Sequence, residues 1–274
     1  MSDKVNPFFR IKKEAIRTNS GIRIPRRFAL LNAKTNGLLC IVSNEYEVIL
    51  NSKVSKLFDK VLKDYPYLYY IDHLDALQRK WKRQIILKGE NVTFNISETS
   101  KVAIAIEIFN GYDIRSGFGY EILAYSFNSN SFLVLGTRGV FKESCYHFTD
   151  NPTKFRDSIE VKFDEFKQHV LLWKRWAKQE FSDEAFESFI KGRKYLSQKI
   201  QEEVIELVAD IRKGLMLKST IWDHLNILLY LMEHETKAWR GSHIFSNRYK
   251  LFGKMVEDFY KIERTIRAEY GVIE

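Results

Sequence analysis

The sequence predicts an α+β protein: a mixed or antiparallel β-sheet region with helices at the N-terminal side, followed by a helical C-terminal region. Three observations predict it. Residues 28–148 carry short β-branched and aromatic runs separated by turns, and an Asn36-Gly37 pair sits between two of those runs. After Asn151-Pro152 the texture changes to long helical periodicity with almost no strand signal. Runs of strands followed by runs of helices favour this class over a doubly wound parallel sheet. With 274 residues, 45% of them hydrophobic, the chain has ample material for a core.

In order along the chain, Phe28 to Asn32 and Leu38 to Ser43 flank Lys34-Thr35-Asn36-Gly37 and read as a hairpin. From Ser52 to Asp64, Val54, Leu57, Phe58, Val61 and Leu62 recur at helical spacing, with Lys53, Lys56, Lys60 and Lys63 on the other side. Strands are expected at 81–88, 92–96, 102–109, 120–127 and 132–137, where β-branched and aromatic residues concentrate. Helices are expected at 158–180, 183–192, 193–213, 220–236 and 245–270, the third ended by Gly214 with Arg212 and Lys213 in its last turn. The domain organisation this implies is a basic N-terminal arm (1–27), a strand-rich core (28–150) and a helical region packing on it (151–274).

Charge is unevenly spread. The net +9 of the chain is already reached between Met1 and Asn91, and the rest is nearly neutral. Its densest run is Arg10, Lys12, Lys13, Arg17, Arg23, Arg26 and Arg27, opposed only by Glu14, which reads as the footprint of a polyanionic partner, with a solvated N-terminus whose charges aid solubility as the alternative. A second cluster, Arg79-Lys80-Trp81-Lys82-Arg83, follows Tyr65, Tyr67, Tyr69 and Tyr70. Rings interleaved with cations suit single-stranded nucleic acid, where bases stack and Arg or Lys hold the backbone. The same alternation equally describes a strand with Trp and Tyr inward and charge outward. Trp173-Lys174-Arg175-Trp176 lies in an expected helix and reads as core indoles with surface cations.

Signals for catalysis or metal are weak. Cys145 and His147 alternate on one expected strand, but two ligands do not make a zinc site, and no nucleophile elbow or phosphate-binding glycine loop is present. An enzyme would need distant residues such as Asp113, Glu121, His147 and Asp223 to converge. On the 220–236 helix Asp223, Asn226, Tyr230 and His234 form a polar stripe, expected as a hydrogen-bonded seam between helices or a solvent face. Neither a leader nor an apolar run of membrane-spanning length is evident, so a soluble protein of the cytoplasm with reduced Cys40 and Cys145 is expected.

Three segments carry a family resemblance: Ile24-Pro25 through Cys40-Ile41-Val42-Ser43-Asn44-Glu45-Tyr46-Glu47-Val48-Ile49; Glu107 to Asp113 followed by Phe132 to Val140; and Thr220 to Asn226 running on to His234. Together they resemble the phage/plasmid-like proteins, a domain of unknown function found in prophages, plasmids and viruses. The chain departs from that family's Arg-x-x-Cys-x-Asn-Gly signature, with Leu133, Gly136 and Arg138 at the first three marked places and Gly139 matching. The resemblance implies a mobile-element protein made in the host cytoplasm and brings no established activity.

The expectation is therefore a non-enzymatic DNA-binding protein of a virus, plasmid or prophage, with single-stranded DNA favoured and replication or strand annealing as the setting. Lys12, Lys13, Arg23, Arg26, Arg27, Arg79, Lys82 and Arg83 would contact phosphate, and Trp81 and Tyr67 would stack on bases. No cofactor and no metal is expected, and homo-oligomerisation is open. The alternative is a protein-interaction factor, a host-defence inhibitor, regulator or virion component whose basic face meets an acidic host protein.

Overall fold

In a computed structural model of the chain, the described residues are 6–113, 116–128, 130–134, 142–145, 152–214, 220–231, 251 and 253–261. They form antiparallel sheets toward the N-terminus and helices mostly toward the C-terminus, the α+β class that the texture predicts. The chain divides into two compact units. One takes Met1–Lys88, Ile106–Ile122 and Phe141–Val161, the other Gly89–Ala105, Leu123–Val140 and Lys162–Glu274. This differs from the expected succession of arm, strand-rich core and helical region. Each unit holds strands and helices, because long single elements spanning 101–111, 118–126 and 152–176 contribute residues to both.

In the first unit, β1 (Ile11–Arg17), β2 (Arg23–Asn32) and β3 (Leu38–Ser43) make an antiparallel sheet in that order. Residues 11–27, expected as an arm, are thus strand β1, its turn and the first half of β2. The β2–β3 turn is the one the Asn-Gly pair predicts: Asn36 takes φ 58°, its N–H donates to the Asn32 carbonyl, and the Asn32 N–H donates to Gly37. Leu30, Leu39 and Val42 pack with Tyr112 beneath this sheet, joined by Phe9, Ile11 and Phe28.

Helix α1 (Asn51–Val61) buries Val54, Leu57, Phe58 and Val61 at the i, i+3, i+4, i+7 spacing and leaves Lys53, Lys56 and Lys60 exposed. At roughly 1.5–3 kcal/mol per buried side chain, that stripe rather than propensity holds the helix. Its N-terminus has no side-chain cap; instead the Asn51 N–H donates to the Tyr112 hydroxyl, Asn51 Nδ2 to the Pro7 carbonyl, and Asn110 Nδ2 to both the Ile49 carbonyl and Asn51 Oδ1.

The second sheet runs β10 (Lys142–Cys145), β8 (Phe118–Ser126), β7 (Lys101–Gly111), β5 (Lys80–Leu87), β4 (Tyr67–Leu74), with β6 (Thr93–Asn95) on β7 and β9 (Ser131–Val134) on β8. Gly119 is required where β8 meets β10: a Cβ there would stand 1.9 Å from the Glu143 carbonyl oxygen. Phe58, Phe118 and Tyr120 surround Phe155 at the start of α2 (Pro152–Trp176), with ring centroids 5.4–6.2 Å apart. The Tyr120 hydroxyl bonds Ser158 and Glu143 at the rim of that cluster.

In the second unit, α3 (Asp183–Lys191) is capped by Ser182, whose hydroxyl accepts the Ala185 N–H, with Asp183 and Glu184 in its first turn. The helix expected from Arg193 starts at Gln198 instead, as α4 (Gln198–Gly214), because residues 193–196 close a separate turn from the Leu196 N–H to the Arg193 carbonyl. Helix α5 (Ile221–Tyr230), capped by Thr220, is buried nearly all round. On its polar stripe Asn226 accepts from Ser126 of β8 at 2.5 Å and donates to the Trp222 carbonyl, and Asp223 accepts from the Thr220 hydroxyl; beside the stripe Trp222 Nε1 donates to Ser100. Trp173 and Trp176 are buried, as their helical spacing predicts. His147, His234, the family-like residues 135–140, Asn151 and most of the expected 245–270 helix lie outside the described residues.

Candidate nucleic-acid interface

The first unit contains both basic clusters, and it treats them oppositely. In the β4–β5 hairpin the register sets Asp72 opposite Arg83 and Leu74 opposite Trp81. Asp72 Oδ1 accepts from Trp81 Nε1 at 2.8 Å and from Arg83 Nε at 2.9 Å, and its Oδ2 accepts from Arg83 Nη2 at 3.0 Å. The Arg83 guanidinium also donates to Ser55 of α1 and lies 4.4 Å from the Tyr70 ring centroid, with Trp81 and Phe8 on its other sides. Trp81 is 1% exposed and Arg83 7%. Neither can stack on a base or reach a phosphate, so both expected contacts are corrected to core. Alternation along β5 turns Trp81, Arg83, Ile85 and Leu87 to one side, and that side faces α1.

Two other cations of this cluster are also engaged. Lys82 pairs with buried Glu107, which in turn accepts from Gln84, and Lys80 pairs with Asp113 at 3.2 Å. Lys82 is thereby corrected from a phosphate contact to an ion-pair partner of a buried carboxylate. Arg79 is half-buried beside the β4–β5 turn, where Asp75 Oδ1 accepts the backbone N–H groups of Arg79 and Lys80. Tyr67 alone of the expected stacking residues stands out, 54% exposed.

The β1–β2 ribbon is different. Lys12 makes a surface ion pair with Glu14, and Lys13, itself exposed, donates through Nζ to the Asn44 and Tyr46 carbonyls over the Phe28 ring. Both thus have partners on the protein, which Arg26 and Arg27 lack among the described residues. Arg23 lies over Phe28 but is exposed, and Arg26 and Arg27 are exposed with no partner among the described residues.

Backbone irregularity aims these arginines. Ala15 faces Phe28 and the next pair is Arg17 with Arg23, so β1 advances two residues where β2 advances five. The excess is a bulge holding Pro25, which has no N–H to give a ladder, and Arg26, held at φ 56°. A non-glycine residue in that region carries strain of about 1–2 kcal/mol, of the kind that concentrates at functional sites. Arg17 and Arg23, directly opposed across the ribbon, are a like-charge pair, which costs stability unless an anion lies between them. Arg17 donates to the Gly21 carbonyl at the turn. Sequence reading missed both features, although Pro25 inside an otherwise strand-like run was the available signal.

Gln78, in the β4–β5 turn, accepts from Asn32 Nδ2 at the end of β2 where Lys12 faces Leu31, and Arg26 lies six residues back along that strand, beyond the bulge. Asp113 and Asp223, considered above for catalysis, are held locally, Asp113 by Ser116 and Lys80 and Asp223 by Thr220. Among the described residues no group of three or more His, Cys, Asp or Glu is arranged to hold a metal ion, and no helix is long and apolar enough to cross a membrane. No protein-family model, curated protein or solved structure matches this chain.

Proposed function

We propose that this chain is a non-enzymatic nucleic-acid-binding protein that grips the phosphate backbone with its β1–β2 ribbon, in the setting of a virus, plasmid or prophage. One observation carries the reading. Arg23, Arg26 and Arg27 are exposed without carboxylate partners beside a bulge, whereas Lys80, Lys82 and Arg83 of the other cluster are each paired with an acid. Cations retained in this way at the cost of a strained backbone are suited to phosphate. With Trp81 inside the fold, a single-strand preference rests on the exposed tyrosines of β4, Tyr67 first among them.

A gel-shift titration against single- and double-stranded DNA at several salt concentrations tests this. Arg23→Glu/Arg26→Glu/Arg27→Glu should abolish binding or lower the salt slope by roughly 0.9 per lost phosphate contact, while Lys199→Glu, on exposed α4, should leave it unchanged. Absence of binding to either form at low salt would sink the proposal.

A specific observation also favours the protein-interaction reading. Among the described residues β4 is the last strand of its sheet, and Tyr67, Leu68, Tyr69, Tyr70 and Ile71 are all exposed on it without a charged residue among them, an edge suited to pairing with another strand. Size-exclusion chromatography with light scattering on wild type and Tyr69→Lys tests it; a monomer in both, with no copurifying protein, argues against this reading.

A further inference from the structure

The tip of the β1–β2 ribbon holds a feature that phosphate contact does not use. The turn is tightly closed: the Thr18 N–H donates to Ile22, the Gly21 N–H to Thr18, and the Thr18 hydroxyl accepts the Ile22 N–H, with Gly21 at φ 82°. Directly beyond this rigid tip, Ile22 is 67% exposed and Ile24 37% exposed, followed by exposed Pro25. These apolar residues are interleaved with Arg23 and Arg26, and Arg17 lies across the ribbon. The turn itself, Thr18-Asn19-Ser20-Gly21, is polar, as a solvated hairpin tip ordinarily is. Immediately behind it, exposed branched aliphatic side chains alternate with cations.

We infer that the ribbon tip is a wedge for duplex nucleic acid: Ile22 and Ile24 enter between base steps from the minor groove while Arg17, Arg23, Arg26 and Arg27 hold the flanking phosphates. The inference rests on the reading of the ribbon as a nucleic-acid contact and adds its substrate class and its action. Aliphatic wedges flanked by arginine unstack a base step and kink the duplex, the kink admitting more phosphate contacts. A single strand has no step to open in this way. It is held by flat rings on which its bases stack, and the ribbon tip carries none. The paired ribbon, with strands about 4.8 Å apart, is stiff enough to transmit the thrust because its turn is locked by three hydrogen bonds.

The test uses the full chain and a duplex of about three helical turns labelled at its ends for energy transfer, with the matching single strand as comparison. Wild type should bind the duplex at least tenfold more tightly than the strand and raise the transfer signal. Ile22→Ser/Ile24→Ser alters only exposed side chains; it should bind the duplex within about tenfold of wild type and lose the signal change. Arg23→Glu/Arg26→Glu/Arg27→Glu should lose binding. Duplex binding by wild type without a signal change, or tighter binding to the single strand, overturns the wedge and leaves the ribbon as a plain phosphate contact. No binding to either nucleic acid overturns the nucleic-acid reading and the wedge with it, and binding instead to vesicles of anionic lipid, dependent on Ile22, does the same.

Discussion

Replacing Asp72 by alanine discriminates between the two roles that Arg83 and Trp81 can be given. Asp72 accepts three hydrogen bonds, at 2.8, 2.9 and 3.0 Å, from two side chains that are almost wholly inside the protein. Removing it leaves a buried guanidinium without its counter-charge, which costs about 3–5 kcal/mol. Arg83 keeps Ser55 and three aromatic rings, and the Asp72 side chain is 23% exposed, so the lower end, about 3 kcal/mol, is expected. Urea unfolding of wild type, Asp72→Ala, Arg83→Met and the double variant gives the number. The double variant should be less destabilised than the two single losses added together, because the second substitution removes the charge that the first left stranded. Trp81 Nε1 still loses its acceptor in it, worth about 1–3 kcal/mol, so wild-type stability is not regained. DNA titrations of Arg83→Met, run at a temperature where it remains folded, should show the wild-type salt slope. A stability loss below about 1 kcal/mol for Asp72→Ala, or a slope lowered by about one unit in Arg83→Met, would refute the assignment of this pair to the core.

Acidification should destabilise the second unit before its carboxylates titrate. Burial among Trp173 and Tyr260 lowers the His169 pKa to about 4, so the unfolded chain binds the proton first; stability is full above pH 6.5 and is lost as pH falls from there toward 4, by at most about 3 kcal/mol. His224, likewise lowered by burial, adds in the same direction, and thermal unfolding across pH 4–7 should show a shallower slope in His169→Phe than in wild type. Gly119→Ala should cost several kcal/mol in urea unfolding, since its Cβ meets a backbone oxygen that can move only by parting β8 from β10; Gly214→Ala, with open space around it, should cost nothing. Arg26→Gly relieves a positive φ while deleting one proposed phosphate contact. Stability unchanged or up by about 1 kcal/mol, with weaker DNA binding, is expected, and a loss of stability would show that the arginine serves the fold.

Elements with local chemistry were legible in the sequence. The β2–β3 hairpin announces itself because an asparagine tolerates the left-handed step at position 36, and α3 because Ser182 and Gly192 bracket an amphipathic run. Strand β4 was not, since an edge strand exposing Tyr67 to Ile71 has no inside–outside alternation to read. The N-terminal half of β2 was hidden by Pro25, which belongs in a strand only at a bulge. For Trp81 and Arg83 the alternation was visible and its meaning was not. A stacking platform and a core-facing strand share one pattern, and what separates them is Asp72, eleven residues from Arg83 and opposite it only once the hairpin has formed.

The same pairing logic changes what the charge asymmetry means. Carboxylates drawn from distant sequence neutralise the second cluster on folding: Asp72 from β4, Glu107 from β7 and Asp113 just beyond it. Those cations therefore contribute little field to an approaching polyanion. On the ribbon the acidic complement is Glu14, and Lys12 takes it. Part of the unbalanced charge of the first ninety residues thus stands at the bulged end of β2, where Arg17 faces Arg23 and Arg26 is held in a strained conformation, and part on the lysine face of α1. A carboxylate at either position of that cross-strand pair, or a glycine at the bulge, would relieve the cost. The proposed phosphate contact accounts for arginine at all three places, which a basic surface serving only solubility would not require.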